Sequence, residues 1–388
     1  MPARASGGST RGGDLVSSFL YMATFPESTS SIRARQERLR ALMETRHHPF
    51  LLVTNLTNVR YLTGFTGSAG ILLLGPQQAI LWVDPRYTLQ AHQQAEGVDV
   101  VEERKGILKA AAKWLRKSRV REAAYEAANL TCQQHEELRK EGGDRLALKM
   151  AGEMIEELRV VKDRGEIDAI RAAAKVTAEV FAEVMPQIRP GVMERDLAAE
   201  VEYRMRKKGA EGAAFETIVA SGSQSAHPHA RPSSKTLQES ELVILDLGAI
   251  LNGYSADMTR TAFLGEPSRR VRKLYSAVLE AQTRAVQAVQ DAVPAGHIDS
   301  TARRVLATYG LARYFTHSTG HGVGLEIHEL PRLRKGEVTR LRSGSVVTVE
   351  PGVYLEGFGG IRIEDTVLVG PVGPEVLTPA SKKDWIVS

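Results

Sequence analysis

The chain has little cysteine and no long apolar segment, and each shortage excludes a class of protein. Cys132 is the only cysteine among 388 residues, which excludes an intrachain disulfide and a metal cage built from thiolates. No apolar run approaches the roughly 20 residues that span a bilayer as a helix. We therefore expect no membrane association.

The basic residues do not cluster along the sequence, although the formal net charge is +5 and the isoelectric point is about 9.2. Lysine and arginine alternate with acidic or apolar residues along helical stretches such as 269–280, which is typical of a solvated helix face. We therefore expect no nucleic-acid partner. The 43% apolar and 25% charged content is ordinary for a soluble globular chain, and the length suits two domains.

The order of apolar runs divides the chain into four predicted segments. Residues 1–30 are rich in Gly, Ser, Thr and Arg, which predicts a disordered tail rather than a signal peptide, and hence a cytoplasmic protein. Residues 31–150 alternate short strands with amphipathic helices, which predicts an α/β domain. This region has no phosphate-binding glycine loop or nucleophile turn, so we expect it to shape a cleft or an oligomer contact. A connecting helix over 151–162 and a larger domain over 163–388 follow.

The larger predicted domain repeats one order of elements. Two helices followed by a carboxylate-bearing β-hairpin occur over 163–263 and again over 267–369. Asp163 and Glu166 have the spacing of a capping box at the start of the first helix. We expect the two halves to close around one site, to which each contributes a pair of acids.

The first hairpin carries Asp246 and Asp257. The Asn252-Gly253 pair between two apolar runs predicts a two-residue type I′ turn. That turn places Thr259 opposite Asp246, and Gly248 opposite Asp257. The two carboxylates then point to the same face as diagonal neighbours roughly 7 Å apart, with the glycine leaving room between them.

The second hairpin carries Glu350 and Glu364, and its longer turn leaves the register open. Carboxylates placed this closely repel each other unless a cation lies between them. Four carboxylates with the imidazole of His321 suit hard or borderline divalent ions such as Mn²⁺, Co²⁺, Fe²⁺ or Zn²⁺. Four negative charges balance two such ions, and a hydroxide bridging such a pair indicates hydrolysis.

Two loops offer further histidines. His317 and His321 have the spacing of a helical zinc pair, but the glycines around them predict an irregular loop in which only His321 binds metal. His328 is then expected to face the substrate as a proton donor or oxyanion partner, whereas His317 is as well explained by a structural hydrogen bond. In the other loop, spacing alone does not choose between His227 and His229.

With these residues identified, the chain resembles the metal-dependent Xaa-Pro peptidases of the pita-bread superfamily, namely aminopeptidase P and prolidase. The resemblance covers nearly everything after residue 30. The motifs that carry it are NVRYLTGFTGSAG at 58–70, DPRY at 84–87, SADMTRT at 255–261, HSTGHGVG at 317–324, EPGVY at 350–354 and GIRIEDT at 360–366.

The resemblance implies an α+β fold, in which a pita-bread domain with duplicated halves follows a smaller creatinase-type α/β domain. It implies Asp257 and Glu364 as ligands that bridge two metal ions and Asp246 as a ligand of one ion. His321 and Glu350 would bind the other ion.

The same resemblance implies roles beside the metals. Glu350 is expected to shuttle a proton, His229 and His328 to act on the substrate, and Arg362 to contact it. His317 is a further candidate for substrate binding.

The predicted function is hydrolysis of the Xaa-Pro bond at a free peptide N-terminus, with two divalent ions, Mn²⁺ ahead of Co²⁺ or Zn²⁺, and a homodimeric assembly. A strict Xaa-Pro dipeptidase is the alternative within enzymes. A metal-free binding module of the same fold is the alternative outside them, and the retention of all five ligands argues against it.

Overall fold

The computed structural model describes residues 31–387, so the predicted tail over 1–30 lies outside the described residues. The first part of the described chain is a six-stranded mixed sheet with helices on both faces. Along each strand, alternate side chains enter two separate cores, as for Leu51 and Val53 on one face and Leu52 on the other. The helices at 31–45, 56–63 and 88–94 cover the first face, and those at 107–117 and 132–142 cover the second.

Helices and strands alternate along most of this first part. The helices are α1 Ser31–Thr45, α2 Leu56–Thr63, α3 Thr88–Gln94, α4 Ile107–Lys117 and α5 Cys132–Gly142. The strands are β1 Leu51–Val53, β2 Gly70–Leu74, β3 Ala79–Val83, β4 Asp99–Glu102, β5 Glu122–Tyr125 and β6 Ala147–Met150. Their order in the sheet is β4-β3-β2-β1-β5-β6.

The sequence predicts strands at 50–54, 69–74, 79–84 and 98–103 and helices at 31–45, 107–117 and 132–140. All seven are present, as β1 to β4, α1, α4 and α5, but α2, α3, β5 and β6 were not predicted. Helix α2 is short and mixed in composition, so local packing and caps stabilise it more than residue preference does. The side chain of Asn55 accepts from the Thr57 N–H at its start, and Gly64 takes a left-handed conformation with φ 80° at its end.

The connecting helix predicted over 151–162 is shorter than expected, since only Met154–Arg159 (α6) is helical. Gly152 has a left-handed φ of 65° and interrupts the helix at its start. After Arg159 the chain joins the C-terminal part, where Val161 pairs with Ser345 as a β-bridge. Pairing with a strand is incompatible with continued helix.

The rest of the chain is built around four helices and fourteen short strands within the described residues. The helices are α7 Arg164–Val184, α8 Glu194–Lys207, α9 Arg269–Gln287 and α10 Ala295–Thr308. The strands of the first half are β7 Gly212–Ala213, β8 Ile218–Ser221, β9 Leu242–Leu247, β10 Ala249–Leu251, β11 Tyr254–Ser255 and β12 Met258–Leu264. The later strands are β13 Gly320–Gly322, β14 Glu329–Leu333, β15 Val346–Val349, β16 Gly352–Leu355, β17 Gly359–Arg362, β18 Asp365–Val369, β19 Pro374–Val376 and β20 Ile386–Val387.

The predicted repetition of two helices and a hairpin is present. Helices α7 and α8 precede the hairpin of β9 to β12, and helices α9 and α10 precede the hairpin of β15 to β18. The capping box of Asp163 and Glu166 at the start of α7 is confirmed. None of the helices between residues 31 and 387 combines the length and apolar character needed to cross a membrane.

The register of the first hairpin is confirmed. Leu251 pairs with Tyr254 and Asp246 with Thr259, and both turn residues have positive φ, 52° at Asn252 and 78° at Gly253, as a type I′ turn requires. One detail of the prediction is wrong, because the space at Gly248 does not lie between carboxylates. A Cβ there would meet the Ala256 carbonyl oxygen at 2.0 Å, so the backbone itself requires glycine.

The second hairpin has a three-residue connection that the sequence left undetermined. Leu355 pairs with Gly359 across residues 356–358, and Gly357 has a φ of 71°. The β15–β18 ladder keeps the same register, with Val349 opposite Asp365. This register places Glu350 opposite Glu364, at the point where the two ladders separate.

Candidate metal centre

Four acidic side chains converge from the middle of the two hairpins. Asp246 lies on β9, Asp257 directly precedes β12, Glu350 directly follows β15, and Glu364 directly precedes β18. Asp257 and Glu364 are 5% and 2% exposed. Each half of the C-terminal part therefore contributes two carboxylates to one buried cluster, as the repetition of elements predicted.

Hydrogen bonds between the hairpins hold this cluster together. The hydroxyl of Thr259 donates to Oε2 of Glu364 at 2.6 Å, and the Glu364 N–H donates to the Thr259 carbonyl at 3.1 Å. The hydroxyl of Thr366 donates to the Asp257 carbonyl at 2.7 Å. Each hairpin thus orients an acidic residue of the other.

His321 reaches the cluster from a strand and not from the irregular loop that was predicted. It lies in β13, between β14 and β15. The glycines on either side permit close backbone approach, since a Cβ at Gly320 would lie 1.9 Å from the Thr348 carbonyl oxygen and one at Gly322 would lie 2.1 Å from that of Leu330. The glycines correctly argued against a helix, but they serve tight strand pairing.

The tautomer of His321 follows from its hydrogen bond. Nδ1 lies 3.0 Å from the Gly322 carbonyl oxygen, which only accepts, so Nδ1 carries the proton. The lone pair of Nε2 then faces the acids, 3.6 Å from Oδ2 of Asp257 and 3.4 Å from Oε1 of Glu350. One ligand atom each from Asp257, His321 and Glu364 lie within 4.8 Å of one another.

Burial raises the pKa values of three carboxylates in the cluster. Burial, followed by repulsion from Glu364, raises the pKa of Asp257 well above its usual value, and burial with repulsion from Glu350 does the same for Glu364. Burial raises the pKa of Glu350 to about 7, although Arg362 acts against the rise. These carboxylates are unfavourable as anions unless a cation compensates them.

A divalent cation fits this arrangement for a second reason. Oδ1 of Asp246 is buried and has no hydrogen-bond partner among the described residues, which is unfavourable for a carboxylate oxygen unless a cation binds it. The other oxygen, Oδ2, accepts from Nη2 of Arg362 at 2.7 Å. The donor set of oxygens and one imidazole nitrogen is that of divalent metals rather than of an organic cation.

Arg362 occupies a buried position between the acids and a tyrosine. Its Nε donates to Thr259 Oγ1 at 3.0 Å and its Nη1 to the hydroxyl of Tyr354 at 2.8 Å. Tyr354 in turn donates to Nε2 of His317 at 2.9 Å, while Nδ1 of His317 donates to the Ser318 carbonyl at 2.7 Å. Both ring nitrogens of His317 are therefore engaged with protein groups.

All nine predicted site residues line one cavity of about 860 Å³. The structure brings His229 to this cavity and leaves His227 outside its lining. The ring of His328 lies 4.3 Å from that of His321, centroid to centroid, at 63°. The cavity also borders the connecting segment, through residues such as Glu156 and Arg159.

The loop that carries His229 is anchored by Glu194, which was not predicted from the sequence. Oε1 of Glu194 accepts from the N–H and the hydroxyl of Ser221, both at 2.7 Å. Oε2 accepts from the N–H of Ser233 at 3.1 Å and from its hydroxyl at 2.7 Å. One carboxylate thus fastens both ends of the loop.

Two further residues at the site were not predicted, and only one of them could have been found from the sequence. Thr259 could have been found, because the predicted register already placed it opposite Asp246. Arg260 donates to the carboxylate of Asp365 at 2.8 Å and to the Glu364 carbonyl, and its partners are about a hundred residues away in sequence. No local pattern reveals such a pair.

Comparison with known families agrees with this geometry. The family model described as metallopeptidase family M24 matches residues 168–371, and that described as the creatinase/prolidase N-terminal domain matches residues 35–161. Membership of this metallopeptidase family implies that divalent metal ions are bound.

Individual proteins agree as well. The uncharacterized peptidase YqhT of Bacillus subtilis is 35% identical over 347 residues, which cover 89% of this chain and 98% of that protein. The structure is similar to that of a Xaa-Pro dipeptidase from Bacillus anthracis, with a TM-score of 0.88, 37% identity, and coverage of 92% of this chain and 100% of that one. An X-Pro aminopeptidase from Thermotoga maritima gives a TM-score of 0.84, 37% identity, and coverage of 91% and 100%.

The fold is therefore a pita-bread fold preceded by a creatinase-type N-terminal domain. The chain belongs to metallopeptidase family M24 and is a metallo-exopeptidase.

Proposed function

We propose that the chain hydrolyses the Xaa-Pro bond at a free peptide N-terminus. The observation that carries the proposal is the cluster of four carboxylates and His321 in the lining of a cavity of about 860 Å³. Within this cluster, Oδ1 of Asp246 is buried without a hydrogen-bond partner among residues 31–387. The similarity to proteins named Xaa-Pro dipeptidase and X-Pro aminopeptidase supports the substrate class.

The proposed metal ligands divide into three sets. Asp257 and Glu364 would be shared by two divalent ions, Asp246 would bind one ion, and His321 with Glu350 would bind the other. We propose Mn²⁺, with Co²⁺ and Zn²⁺ as alternatives, because the site is rich in carboxylate oxygen. Bound ions of this kind supply Lewis acidity and activate water for attack on a peptide carbonyl.

The proposed roles of the side chains follow from their positions. Glu350 accepts the proton of the attacking water and delivers it to the leaving proline nitrogen. His328 and His229 border the cavity and are placed to donate hydrogen bonds to the substrate, where charge develops on the carbonyl oxygen.

Arg362 and His317 are proposed to shape the substrate site. Arg362 holds Oδ2 of Asp246, which leaves Oδ1 free to bind metal. His317 presents a ring whose two nitrogens are already bonded, so its contact with the substrate is made by the ring surface. Tyr354 connects these two residues.

An aminopeptidase accepts peptides that continue after the proline, whereas a strict dipeptidase does not. The cavity lies within the roughly 300–1,000 Å³ range of ligand sites and is lined by many residues remote from the cluster, such as Glu153 and Arg334. We propose the aminopeptidase and keep the strict dipeptidase as the alternative, because proteins of both names are similar to this chain. We further propose a homodimeric, cytoplasmic enzyme with no nucleic-acid partner.

The test uses metal-free protein reconstituted separately with Mn²⁺, Co²⁺ or Zn²⁺ and supplied with Ala-Pro and Ala-Pro-Ala. Release of alanine from the tripeptide is expected and identifies an aminopeptidase with a competent ion. Cleavage of Ala-Pro alone would establish the dipeptidase instead. Absence of hydrolysis of both peptides, with metal bound, would refute the proposal.

A further inference from the structure

Four side chains form a continuous line of buried hydrogen bonds that begins directly after strand β5 and ends beside His328. They are Glu126, Asn58, Arg159 and Glu329. The first three are 6%, 0% and 2% exposed, and the side chain of Glu329 is 5% exposed. Buried groups of this kind are tolerated only when they are paired in well-defined geometry.

The line starts where Glu126 follows β5. Its Oε2 accepts from the backbone N–H groups of Thr54 and Asn55, at 2.5 and 2.7 Å, and its Oε1 accepts from Nδ2 of Asn58 at 2.6 Å. The Glu126 carboxylate therefore holds both the backbone that precedes α2 and the side chain of Asn58 in place. This fixes Asn58 relative to the sheet.

Asn58 also forms hydrogen bonds with two residues of the connecting helix α6. Its Nδ2 donates to Glu126 and, at 2.7 Å, to Oε1 of Glu156, while its Oδ1 accepts from Nη1 of Arg159 at 2.8 Å. Reversing the amide would turn its oxygen toward two carboxylates and its hydrogens toward a guanidinium. Only one orientation is compatible with these partners, so Asn58 holds the position of Arg159.

Arg159 ends the line at the turn that contains His328. Its Nη2 donates to Oε1 of Glu329 at 2.5 Å and to Oε2 of Glu326 at 3.0 Å, and Lys162 donates to Oε2 of Glu329 at 3.0 Å. Oε1 of Glu329 also accepts from the Glu326 N–H at 3.0 Å. This bond closes a four-residue turn whose third residue is His328.

We propose that the N-terminal domain positions His328 for catalysis through this line, with Asn58, Arg159 and Glu329 as positioning residues. The inference rests on the proposed function, in which His328 acts on the substrate. Its consequence is kinetic, because a displacement of about 1 Å in a reacting group can lower a rate by about 100-fold. The N-terminal domain then contributes to turnover as well as to the shape of the cleft.

The first test needs no substrate. Asn58→Ala breaks the line but keeps the ion pair of Arg159 and Glu329, and the ring signals of His328 are followed by NMR in protein reconstituted with Zn²⁺, which is diamagnetic. Asp163→Asn is the matched control, because Asp163 also joins an N-terminal helix to the C-terminal part, through Arg35 at 2.6 Å, without contacting the turn. We expect the His328 signals to shift or broaden in Asn58→Ala and to stay in place in the control.

The second test is a double-mutant cycle on an Xaa-Pro peptide, with metal content measured for every variant. Asn58→Ala is expected to lower kcat by about 10- to 100-fold, with full metal content and little change in KM. Combined with His328→Ala, it should lower kcat no further than His328→Ala alone, because its effect acts through that residue. Glu329→Gln should behave in the same way and serves as a second variant if Asn58→Ala folds poorly.

The outcomes separate the two proposals. Multiplicative effects in the cycle, unchanged kcat in Asn58→Ala, loss of metal, or unmoved His328 signals would each overturn the positioning proposal. A fully metal-loaded His328→Ala that turns over normally would refute the role of His328 in the proposed function. Displaced His328 signals together with no hydrolysis by the wild type would support the positioning and refute the Xaa-Pro assignment.

Discussion

Thr259 and Glu364 join the two halves of the C-terminal part by a reciprocal pair of hydrogen bonds, hydroxyl to carboxylate at 2.6 Å and N–H to carbonyl at 3.1 Å. The hydroxyl also accepts from Nε of Arg362 at 3.0 Å. A residue of the first hairpin thus orients an acid of the second. The buried site depends on this contact between two strands that are distant in sequence.

Thr259→Val keeps the shape of the side chain and removes the hydroxyl. We expect the affinity for divalent metal to fall by about 10- to 100-fold, as when the hydrogen-bond partner of a metal ligand is lost. Thr261→Val is the control, because Thr261 is on the same strand and equally buried, but within residues 31–387 its hydroxyl bonds only to the backbone of Arg362. Calorimetric titration of the metal distinguishes them, and equal losses in both variants would contradict the role given to Thr259.

Asp257→Ala and Glu364→Ala are expected to remove both metal ions and nearly all activity. Each residue is proposed to bind two ions, so its loss weakens both sites at once. Elemental analysis after dialysis measures the metal, with the exposed Glu356 of the second hairpin turn changed to alanine as the control. Retention of one full equivalent of metal in either variant would show that the residue binds a single ion.

Removing the metal should make stability depend on pH in a defined direction. In the metal-free fold the pKa values of Asp257 and Glu364 are raised, so the folded state binds more protons than the unfolded state above about pH 4. Stability of the metal-free protein therefore falls as the pH rises, while metal binding tightens because its ligands lose their protons.

Thermal unfolding with and without chelator measures this effect. The difference in Tm between metal-loaded and metal-free protein should grow as the pH rises from about 5 to about 8. A difference that shrinks over this range would mean that other groups, and not the buried acids, dominate the linkage.

Glu194→Gln should loosen the loop that carries His229. The neutral amide offers one accepting oxygen where the carboxylate offered two, so the N–H or hydroxyl of Ser221 or Ser233 loses its partner. We expect kcat/KM for an Xaa-Pro peptide to fall by about tenfold, with unchanged metal content. Glu202→Gln, an exposed site on the same helix, should have no effect. Loss of metal in Glu194→Gln would show that the loop supports the metal site as well.

Much of the site could be predicted because its information is local. The Asn252-Gly253 turn determines the register of the first hairpin, and with it the common face of Asp246 and Asp257. The acids inside apolar strands and the glycines around His321 were equally visible. The repeated order of helices and hairpins predicted that two pairs of acids would meet.

The remaining contacts could not be predicted, because they join residues that are far apart in sequence. Glu194 is one of several acids on α8, and only its burial against Ser221 and Ser233 distinguishes it. Arg362 and Asp246 are separated by 116 residues. The short connecting helix was overestimated for a similar reason, since the strand partner of Val161 lies at Ser345.

Metal-dependent cleavage before proline is tested most directly by comparing Ala-Pro-Ala with Ala-Ala-Ala in the presence of Mn²⁺-reconstituted protein. We predict that free alanine is released from Ala-Pro-Ala, that release stops when the metal is chelated, and that Ala-Ala-Ala is cleaved far more slowly. Equal cleavage of both peptides, or cleavage that persists without metal, would contradict the proposed function.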